Sequence, residues 1–259
     1  MIEVTNLTVG YGKKSLSPVL KNLSCSIPAE KISVLVGPNG SGKSTLLKTI
    51  CGFLPVWNGS VQLDGKLLSD YALSERAKKI AYLSQSRRLP EITVRSLVLH
   101  GRFPYTHFPR HYTKEDCAVA DSALSAMGLD SIAEKKLSCL SGGQQQKVFL
   151  AMALAQQTSV LVLDEPLTFL DIRQQLELLH LLKKLCAQGK TILLVVHDLH
   201  TALTFADKLI VMSGGEVISE GTPALIAEKG TIDTVFCIHT EKISLPKGEN
   251  LYTFSTELV

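Results

Sequence analysis

The sequence predicts an α/β fold with a helical insert. Short apolar runs bounded by turn residues are typical of buried strands, and they occur at 32–36, 160–163 and 192–196. Between about residues 86 and 157, apolar residues recur at helical spacing instead. The chain has 259 residues, 45% of them hydrophobic, so one large domain with an extensive core is expected.

The composition argues against several function classes. A net charge of +3 is too small to indicate a nucleic-acid partner. The six cysteines form no C-x-x-C pair, so we expect free, mostly buried thiols rather than a metal or redox motif. The N-terminus lacks the basic and apolar regions of a signal peptide, and no apolar run approaches the ~20 residues of a membrane span. A soluble protein that docks on a membrane partner is the expectation.

The elements of the first third follow from alternation and turn residues. Residues 2–9 alternate apolar and polar, which is typical of a half-exposed edge strand. A helix is predicted from Thr45 to Cys51. The predicted strands of this part are 2–9, 19–27, 32–36, 59–63 and 80–83. Turns are expected at Tyr11-Gly12, at 28–30 and at Asp64-Gly65.

The rest of the chain returns to strands after the helical segment. Strands are predicted at 160–163 and 191–196, because 160–163 and 192–196 are continuously apolar. Helices are predicted at 172–186 and 202–206. A hairpin is expected around Gly214-Gly215, formed by 208–212 and 216–219. The last ~40 residues show a mixed pattern that predicts little.

Residues 37–45 fit the phosphate-binding pattern G-x-x-x-x-G-K-[ST] between a predicted strand and a predicted helix. Glycines let the backbone curve around a phosphate with its N–H groups inward, and the helix N-terminus adds positive potential. We expect Lys43 to reach the β- and γ-phosphates and the hydroxyl of Ser44 to hold Mg²⁺. The alternative is a glycine-rich turn. The predicted nucleotide-binding residues of this loop, called the P-loop below, are Gly37, Pro38, Asn39, Gly40, Ser41, Gly42, Lys43, Ser44 and Thr45.

A second anion site is predicted where Leu140-Ser141-Gly142-Gly143-Gln144 begins a helix. A serine hydroxyl, two glycine N–H groups and a helix N-terminus are the donors that bind phosphate. Two phosphate-binding devices in one chain can share a γ-phosphate only if they face each other.

These two motifs together resemble the nucleotide-binding subunit of an ATP-binding cassette (ABC) transporter. Residues 140–144 match the signature motif of that family, and the match continues through Gln146, Lys147 and Val148. The likeness covers Val4 to Pro223. The resemblance implies an α/β fold with a P-loop NTPase core of the ABC ATPase type, an N-terminal antiparallel β subdomain and a helical insert. It implies ATP and Mg²⁺ as cofactors. It implies one nucleotide-binding domain over 1–259, with a catalytic core at 1–85 and 158–259 and a helical signature subdomain at 86–157.

The resemblance also implies roles at and near the nucleotide. Tyr11 resembles the aromatic residue that stacks on adenine. Gln85 resembles the glutamine that contacts Mg²⁺ and senses the membrane partner. Asp164, with Ser44, would bind Mg²⁺, and Glu165 would be the general base for the attacking water. Both carboxylates follow a predicted buried strand, at the sheet edge where α/β proteins usually bind ligands.

The remaining implied roles concern the γ-phosphate and the dimer. Ser141, Gly142, Gly143 and Gln144 would close on the ATP of the opposite subunit. Asp171 resembles the residue of the loop that crosses the dimer seam, and His197 resembles the switch histidine that holds the γ-phosphate. The alternatives are structural: a strand cap at 164–166, a core histidine at 197, a packing tyrosine at 11 and an ordinary polar residue at 85.

Two small departures from the family pattern are present. Leu167 stands where threonine is usual, and Lys147 stands where arginine is common. Neither position touches the expected chemistry, so we expect an active ATPase.

The segments 94–105, 149–156 and 170–177 resemble ATPases that serve iron–siderophore, haem and cobalamin uptake, with Gly101-Arg102-Phe103-Pro104 the most specific part. The implied protein is the ATPase of an importer, on the cytoplasmic face of the inner membrane. Its implied partners are a second copy in a head-to-tail dimer, a permease dimer and, indirectly, an extracytoplasmic binding protein; no nucleic acid is expected. The alternatives are an importer of another substrate, such as zinc, manganese or molybdate, and a cytosolic ABC ATPase without a permease.

The aromatic and basic segment 101–112 is expected to be an irregular surface segment that docks the permease, through Arg102 and Arg110 among others. A solvated loop is the alternative. A metal site at His107 and His111 has no carboxylate or cysteine nearby to support it.

Overall fold

The computed structural model describes residues 1–12, 17–85, 89–106, 111–244 and 250–256. The strands are β1 (Ile2–Val9), β2 (Leu20–Ile27), β3 (Ile32–Val36), β4 (Asn58–Leu63), β5 (Lys66–Leu67), β6 (Ile80–Leu83), β7 (Val160–Asp164), β8 (Thr191–Val195), β9 (Lys208–Ser213), β10 (Glu216–Gly221), β11 (His239–Ser244) and β12 (Asn250–Ser255). The helices are α1 (Lys43–Ile50), α2 (Leu73–Lys79), α3 (Val94–His100), α4 (Lys114–Ala126), α5 (Gly142–Ala155), α6 (Ile172–Ala187), α7 (Leu199–Phe205), α8 (Pro223–Glu228) and α9 (Thr231–Phe236).

The chain divides into two compact units. One comprises residues 1–70 and 185–259, and the other comprises residues 71–184. The proposed division into a catalytic core and a signature subdomain is an assignment of function, and it stays a prediction.

The first unit contains an antiparallel sheet in the order β2-β1-β4-β5. β1 pairs with both β2 and β4, so the prediction that it is an edge strand is wrong. Its apolar side chains face one side, which makes one face of this sheet part of the core. They are Ile2, Val4, Leu7 and Val9, each at most 3% exposed.

A second sheet of this unit carries strands in the order β10-β9-β3-β8. β3 lies between β8 and β9, parallel to both. All five residues of β3 and all five of β8 are buried, as the continuous apolar runs predict. The predicted hairpin is present as β9 and β10. The helix predicted at 202–206 is present as α7. The C-terminal residues add α8, α9 and the hairpin β11–β12, which the sequence pattern did not predict.

The second unit joins a parallel pair, β6 and β7, to a group of helices. α3, α4 and α5 contact one another and bury the apolar residues that recur at helical spacing, among them Val98, Leu124 and Val148. The predicted α/β class, with an N-terminal antiparallel sheet and a helical segment, is confirmed.

Helix α2 was not predicted from the sequence. None of its residues is buried, so its sequence shows no apolar periodicity. Its N-terminus is stabilised locally, since the Glu75 carboxylate accepts a hydrogen bond of 2.9 Å from the Ala72 N–H.

Arg102 is not part of a docking surface, which corrects the expectation for segment 101–112. Its side chain is 6% exposed and donates hydrogen bonds to Asp116 (2.9 Å) and to the carbonyl oxygen of Ala155 (2.9 Å). The guanidinium also lies over the Tyr105 ring, 3.9 Å from its centroid. Arg102 therefore joins this segment to α4 and α5 from inside. His107 and Arg110 lie outside the described residues.

We expect Arg102→Met to lower the free energy of unfolding by about 3–5 kcal/mol, because it leaves the buried Asp116 carboxylate without its cation. Burial raises the pKa of Asp116, but hydrogen bonds from Thr113 and Arg102 outweigh burial and hold that pKa below its ordinary value. A carboxylate with a lowered folded-state pKa stabilises the fold above about pH 4 and loses this contribution as the pH falls through the folded pKa. Urea unfolding at pH 7 and at lower pH measures both effects.

The exposed pair Arg95–Asp121 is a matched control, since its N–O distance is also short at 2.8 Å but its side chains are 37% and 52% exposed. Arg95→Met is expected to cost about 0–1 kcal/mol. Equal costs for the two variants would contradict the structural role of Arg102.

The six cysteines agree with the sequence prediction only in part. No disulfide joins the six cysteines, all of which are described, but only Cys25 is buried, so the expectation of mostly buried thiols is wrong. Cys139 and Cys237 are exposed because they lie at the ends of short helices. Within the described ranges, no helix combines the length and apolarity that crossing a bilayer requires.

Candidate functional site

The P-loop joins the end of β3 to the start of α1. A Cβ added at Gly37 would lie 2.2 Å from the carbonyl oxygen of Met212 on β9, so this position requires glycine. Gly42, the N-cap of α1, has φ +97° in the left-handed region that favours glycine. The requirement at Gly42 arises within the loop itself, whereas the requirement at Gly37 comes from β9, a strand that is distant in sequence.

Two polar side chains of the P-loop point into it. The ammonium of Lys43 donates hydrogen bonds to the carbonyl oxygens of Gly37 (2.7 Å) and Pro38 (3.0 Å), and the residue is 7% exposed. The hydroxyl of Ser41 is buried and has no hydrogen-bond partner in the part of the chain that the structure describes. A buried hydroxyl without a partner is unfavourable, and a phosphate oxygen would satisfy it. The loop therefore fits a phosphate by its geometry and its donors.

Tyr11 contacts the first turn of α1, since its hydroxyl lies 3.3 Å from the Thr45 hydroxyl. The Tyr11 side chain is 49% exposed, so the ring has a free face for stacking.

His197 follows β8 and is exposed. β3 and β8 are parallel neighbours, with Leu35 opposite Val195. The residues after both strands therefore lie at one edge of the sheet, which places His197 beside the start of the P-loop.

In the second unit, β6 and β7 bring two predicted residues into contact. Leu83 lies opposite Leu163 in this parallel pair. Gln85 and Glu165 each come two residues after this pair. The Gln85 side-chain amide donates a hydrogen bond of 2.7 Å to the Glu165 carboxylate. Glu165 has φ +53°, an uncommon backbone conformation for a residue other than glycine. The sequence predicted both residues but not their contact.

Asp164 ends β7 and is 2% exposed. The Tyr82 hydroxyl donates a hydrogen bond of 3.3 Å to its Oδ2 atom. Tyr82 was missed by sequence reasoning, because a tyrosine within a strand shows no pattern that distinguishes this contact from packing.

The signature residues 140–144 form a capped helix start. The Ser141 hydroxyl accepts a hydrogen bond from the Gln144 N–H (3.3 Å), and the Gln144 side chain accepts one from the Ser141 N–H (3.1 Å). The Ser141 hydroxyl hydrogen and the first N–H groups of α5, at Gly142 and Gly143, are the donors left for an anion. A Cβ at Gly143 would lie 2.9 Å from the Gln174 side-chain oxygen and 3.2 Å from the Phe169 carbonyl oxygen, so the start of α5 packs closely against these residues.

Asp171 caps α6 and is exposed. Its carboxylate accepts a hydrogen bond of 2.8 Å from the Gln174 N–H. The side-chain amide of Gln175 donates to the carbonyl oxygens of Leu167 (3.3 Å) and Leu170 (3.1 Å), which holds the preceding loop. Phe169 in that loop has φ +67° and is 75% exposed.

The model of the family described as ABC transporter matches residues 20–168, more than half of the chain. The chain belongs to the ABC transporter family. Proteins of this family that bind ATP also hydrolyse it, so the predicted ATP binding and ATPase activity are confirmed.

Curated relatives of this ABC ATPase align over most of both chains. The achromobactin transport ATP-binding protein of Dickeya dadantii is 41% identical over 89% of this chain and 85% of its own. The iron(3+)-hydroxamate import ATP-binding protein of Bacillus subtilis is 39% identical over 100% and 96%. The ferric enterobactin transport ATP-binding protein of Escherichia coli is 39% identical over 89% and 84%.

A solved structure agrees with the fold of this ABC ATPase. A bacterial ABC transporter cassette, solved as a dimer, is 32% identical with a TM-score of 0.76 and is aligned over 86% of this chain and 99% of that chain. The resemblance to ABC ATPases is thereby confirmed for the fold as well as for the sequence.

Proposed function

We propose that this ABC ATPase drives the import of an iron chelate through a membrane permease. The observation that carries this proposal is the similarity over nearly the whole chain to the ATP-binding proteins of iron(3+)-hydroxamate import and ferric enterobactin transport. The resemblance of the segment with Gly101-Arg102-Phe103-Pro104 to ATPases of iron–siderophore, haem and cobalamin uptake supports the same subclass.

ATP binds with its phosphates in the P-loop in this proposal. Lys43 exchanges its two carbonyl partners for the β- and γ-phosphates, and the buried Ser41 hydroxyl and the N-terminal N–H groups of α1 supply further donors. Adenine stacks on the exposed ring of Tyr11.

The residues proposed to hold Mg²⁺ are Ser44, Gln85 and Asp164. They offer a hydroxyl, an amide oxygen and a carboxylate, and such oxygen ligands are the ones that Mg²⁺ prefers. When bound, Mg²⁺ neutralises charge on the β- and γ-phosphates. Tyr82 holds the Oδ2 atom of Asp164, which fixes the orientation of this carboxylate.

Glu165 is proposed as the general base that accepts a proton from the attacking water. Its carboxylate follows a buried strand and is oriented by the Gln85 amide, so its direction is set before the water arrives. His197, beside the P-loop at the end of β8, donates a hydrogen bond to the γ-phosphate. Positioning and charge neutralisation are the main requirements of phosphoryl transfer, and these residues supply both.

A second copy of the chain completes each site in a head-to-tail dimer. Ser141, Gly142, Gly143 and Gln144 of one copy cover the ATP that the P-loop of the other copy holds. Three large apolar side chains beside Asp171 are exposed and suit a protein interface at this seam. They are Phe169 (75%), Ile172 (72%) and Leu176 (51%). A related bacterial cassette was solved as a dimer, which supports the pairing of two copies.

The proposed membrane partners are a permease dimer and, through it, an extracytoplasmic binding protein, with this chain peripheral on the cytoplasmic face. Phe103 is a candidate permease contact, since it is 41% exposed and stacks between His100 (4.6 Å) and Tyr112 (6.0 Å between ring centroids). An importer of another substrate, such as zinc, manganese or molybdate, is the second candidate, because the binding protein and the permease select the cargo.

The test is uptake of radioactive iron by cells in which this gene is deleted. We expect loss of uptake of at least one ferric siderophore, and restoration by the intact gene but not by Glu165→Gln. Copurification with a permease expressed from neighbouring genes, and a binding screen of the associated binding protein, identify the cargo. Unchanged uptake of ferric siderophores, together with binding of zinc, manganese or molybdate by that protein, would replace the iron proposal with the second candidate. Purification without any membrane partner would favour a cytosolic ATPase.

A further inference from the structure

The side chain of Gln146 is buried inside the second unit, although glutamine is a polar residue. It lies on α5, five residues after Ser141, and is 5% exposed. Its amide donates a hydrogen bond of 2.6 Å to the carbonyl oxygen of Pro166, the residue that follows Glu165. A buried amide with one well-placed acceptor fixes the position of that acceptor, because losing the bond would leave both groups unsatisfied.

The turn that Gln146 holds has an unusual backbone. Glu165 and Phe169 both have positive φ, +53° and +67°, although neither is glycine. Such conformations persist when the surrounding structure over-determines them. Gln146 holds the beginning of this turn at Pro166, and Gln175 holds its later carbonyl oxygens at Leu167 and Leu170.

The same face of α5 carries the signature glycines. A Cβ at Gly142 would lie 3.5 Å from the Cβ atom of Phe169, and one at Gly143 would lie 3.2 Å from the Phe169 carbonyl oxygen. Gln146 is three and four residues after these glycines, so all three lie on one side of the helix. The signature residues and the turn after Glu165 are therefore joined through one rigid helix.

We propose that Gln146 is a positioning residue for Glu165 and couples the two ATP sites of the dimer. This inference rests on the proposed head-to-tail arrangement. In that arrangement each chain contributes its signature to the ATP bound by its partner, and its Glu165 to the ATP bound in its own P-loop. When the signature closes on the partner's ATP, α5 moves with it. The Gln146–Pro166 hydrogen bond then transmits this movement to Glu165 of the same chain.

Mixed dimers of two differently tagged full-length chains test the positioning role. In the first dimer one chain carries Glu165→Gln and the other carries Gln146→Met, which keeps the length of the side chain but removes the donor. In the second dimer both substitutions are in one chain, opposite an unaltered chain. Each dimer keeps one working Glu165, but only the first has the Gln146 substitution in the same chain as that residue.

We expect the first dimer to hydrolyse ATP about 10-fold or more slowly than the second, because a small misplacement of a catalytic group is costly. Equal rates would overturn the positioning role. A slower second dimer would also overturn it, since the effect would then act through the signature at the working site.

The dependence of the rate on ATP concentration tests the coupling in homodimers. The Hill coefficient is expected to exceed 1 in the unaltered protein and to fall towards 1 with Gln146→Met. Gln145→Met is the matched control, since the Gln145 amide donates to the carbonyl oxygens of Leu137 and Leu140, on the N-terminal side of Ser141, and not to the turn after Glu165. A Hill coefficient of 1 in the unaltered protein, or an equal decrease in the control, would overturn the coupling. Turnover by a Glu165→Gln homodimer would instead contradict the proposed base, so the two failures are distinguishable.

Discussion

Glu165→Gln is expected to lower the ATP turnover rate by about 10²–10⁴-fold, because a general base contributes roughly that much to proton transfer. The variant keeps the shape of the side chain. In the unaltered protein Gln85 donates a hydrogen bond of 2.7 Å to Glu165, and the amide oxygen of the variant can still accept it. ATP binding is therefore expected to survive, and the ATP-bound dimer should accumulate because hydrolysis no longer ends it. Steady-state phosphate release and size-exclusion chromatography with and without ATP measure the two effects.

Glu216→Gln is the control for this substitution, since Glu216 is an exposed residue at the start of β10. Its turnover rate should equal that of the unaltered protein. A turnover rate close to normal in Glu165→Gln would remove Glu165 from the role of base.

Lys43→Ala is expected to raise the Kd for ATP by about 10–100-fold, since it removes charge-assisted hydrogen bonds to the phosphates. ATP-dependent dimerisation should be lost as well, because the signature of the second copy closes on an ATP that this lysine holds. Binding of a fluorescent ATP analogue and light scattering at rising ATP concentration measure the two effects.

Lys48→Ala is a matched control, because Lys48 lies on the same helix, α1, but in its last turn. It removes one positive charge without touching the loop. Dimerisation of Lys43→Ala at the ATP concentration that suffices for the unaltered protein would contradict the proposed site. Because Lys43 also holds the carbonyl oxygens of Gly37 and Pro38, the melting temperature without ATP should be recorded for both variants.

The sequence predicted the elements that depend on local pattern. β3, β7 and β8 consist mainly of apolar residues, and each is buried along its whole length. The P-loop and the signature were predicted for the same reason, since each is a short contiguous segment whose residue types serve its own backbone. Helix α2 was missed because it buries no residue, and β1 was predicted as an edge strand because alternation describes its faces and not its neighbours.

Arg102 shows why burial of a charged side chain cannot be predicted from its neighbours in sequence. Its segment is basic and aromatic, which favours a surface. The side chain is nevertheless buried, because Asp116, 14 residues later, and the carbonyl oxygen of Ala155, 53 residues later, satisfy its donors. A charge is buried only where partners compensate for lost hydration, and these partners are distant in sequence.

The sequence by itself determined the family, the ATPase activity and the identity of the candidate site residues, because these are carried by contiguous motifs. Only the tertiary structure decided which side chains contact these residues: Gln85 contacts Glu165, Tyr82 contacts Asp164, and Gln146 contacts the turn after Glu165. These contacts join residues 20 to 82 positions apart, and they depend on strand register and helix packing. The acceptor of the Gln146 hydrogen bond is a backbone carbonyl oxygen, which every residue has. No sequence pattern can therefore identify that acceptor.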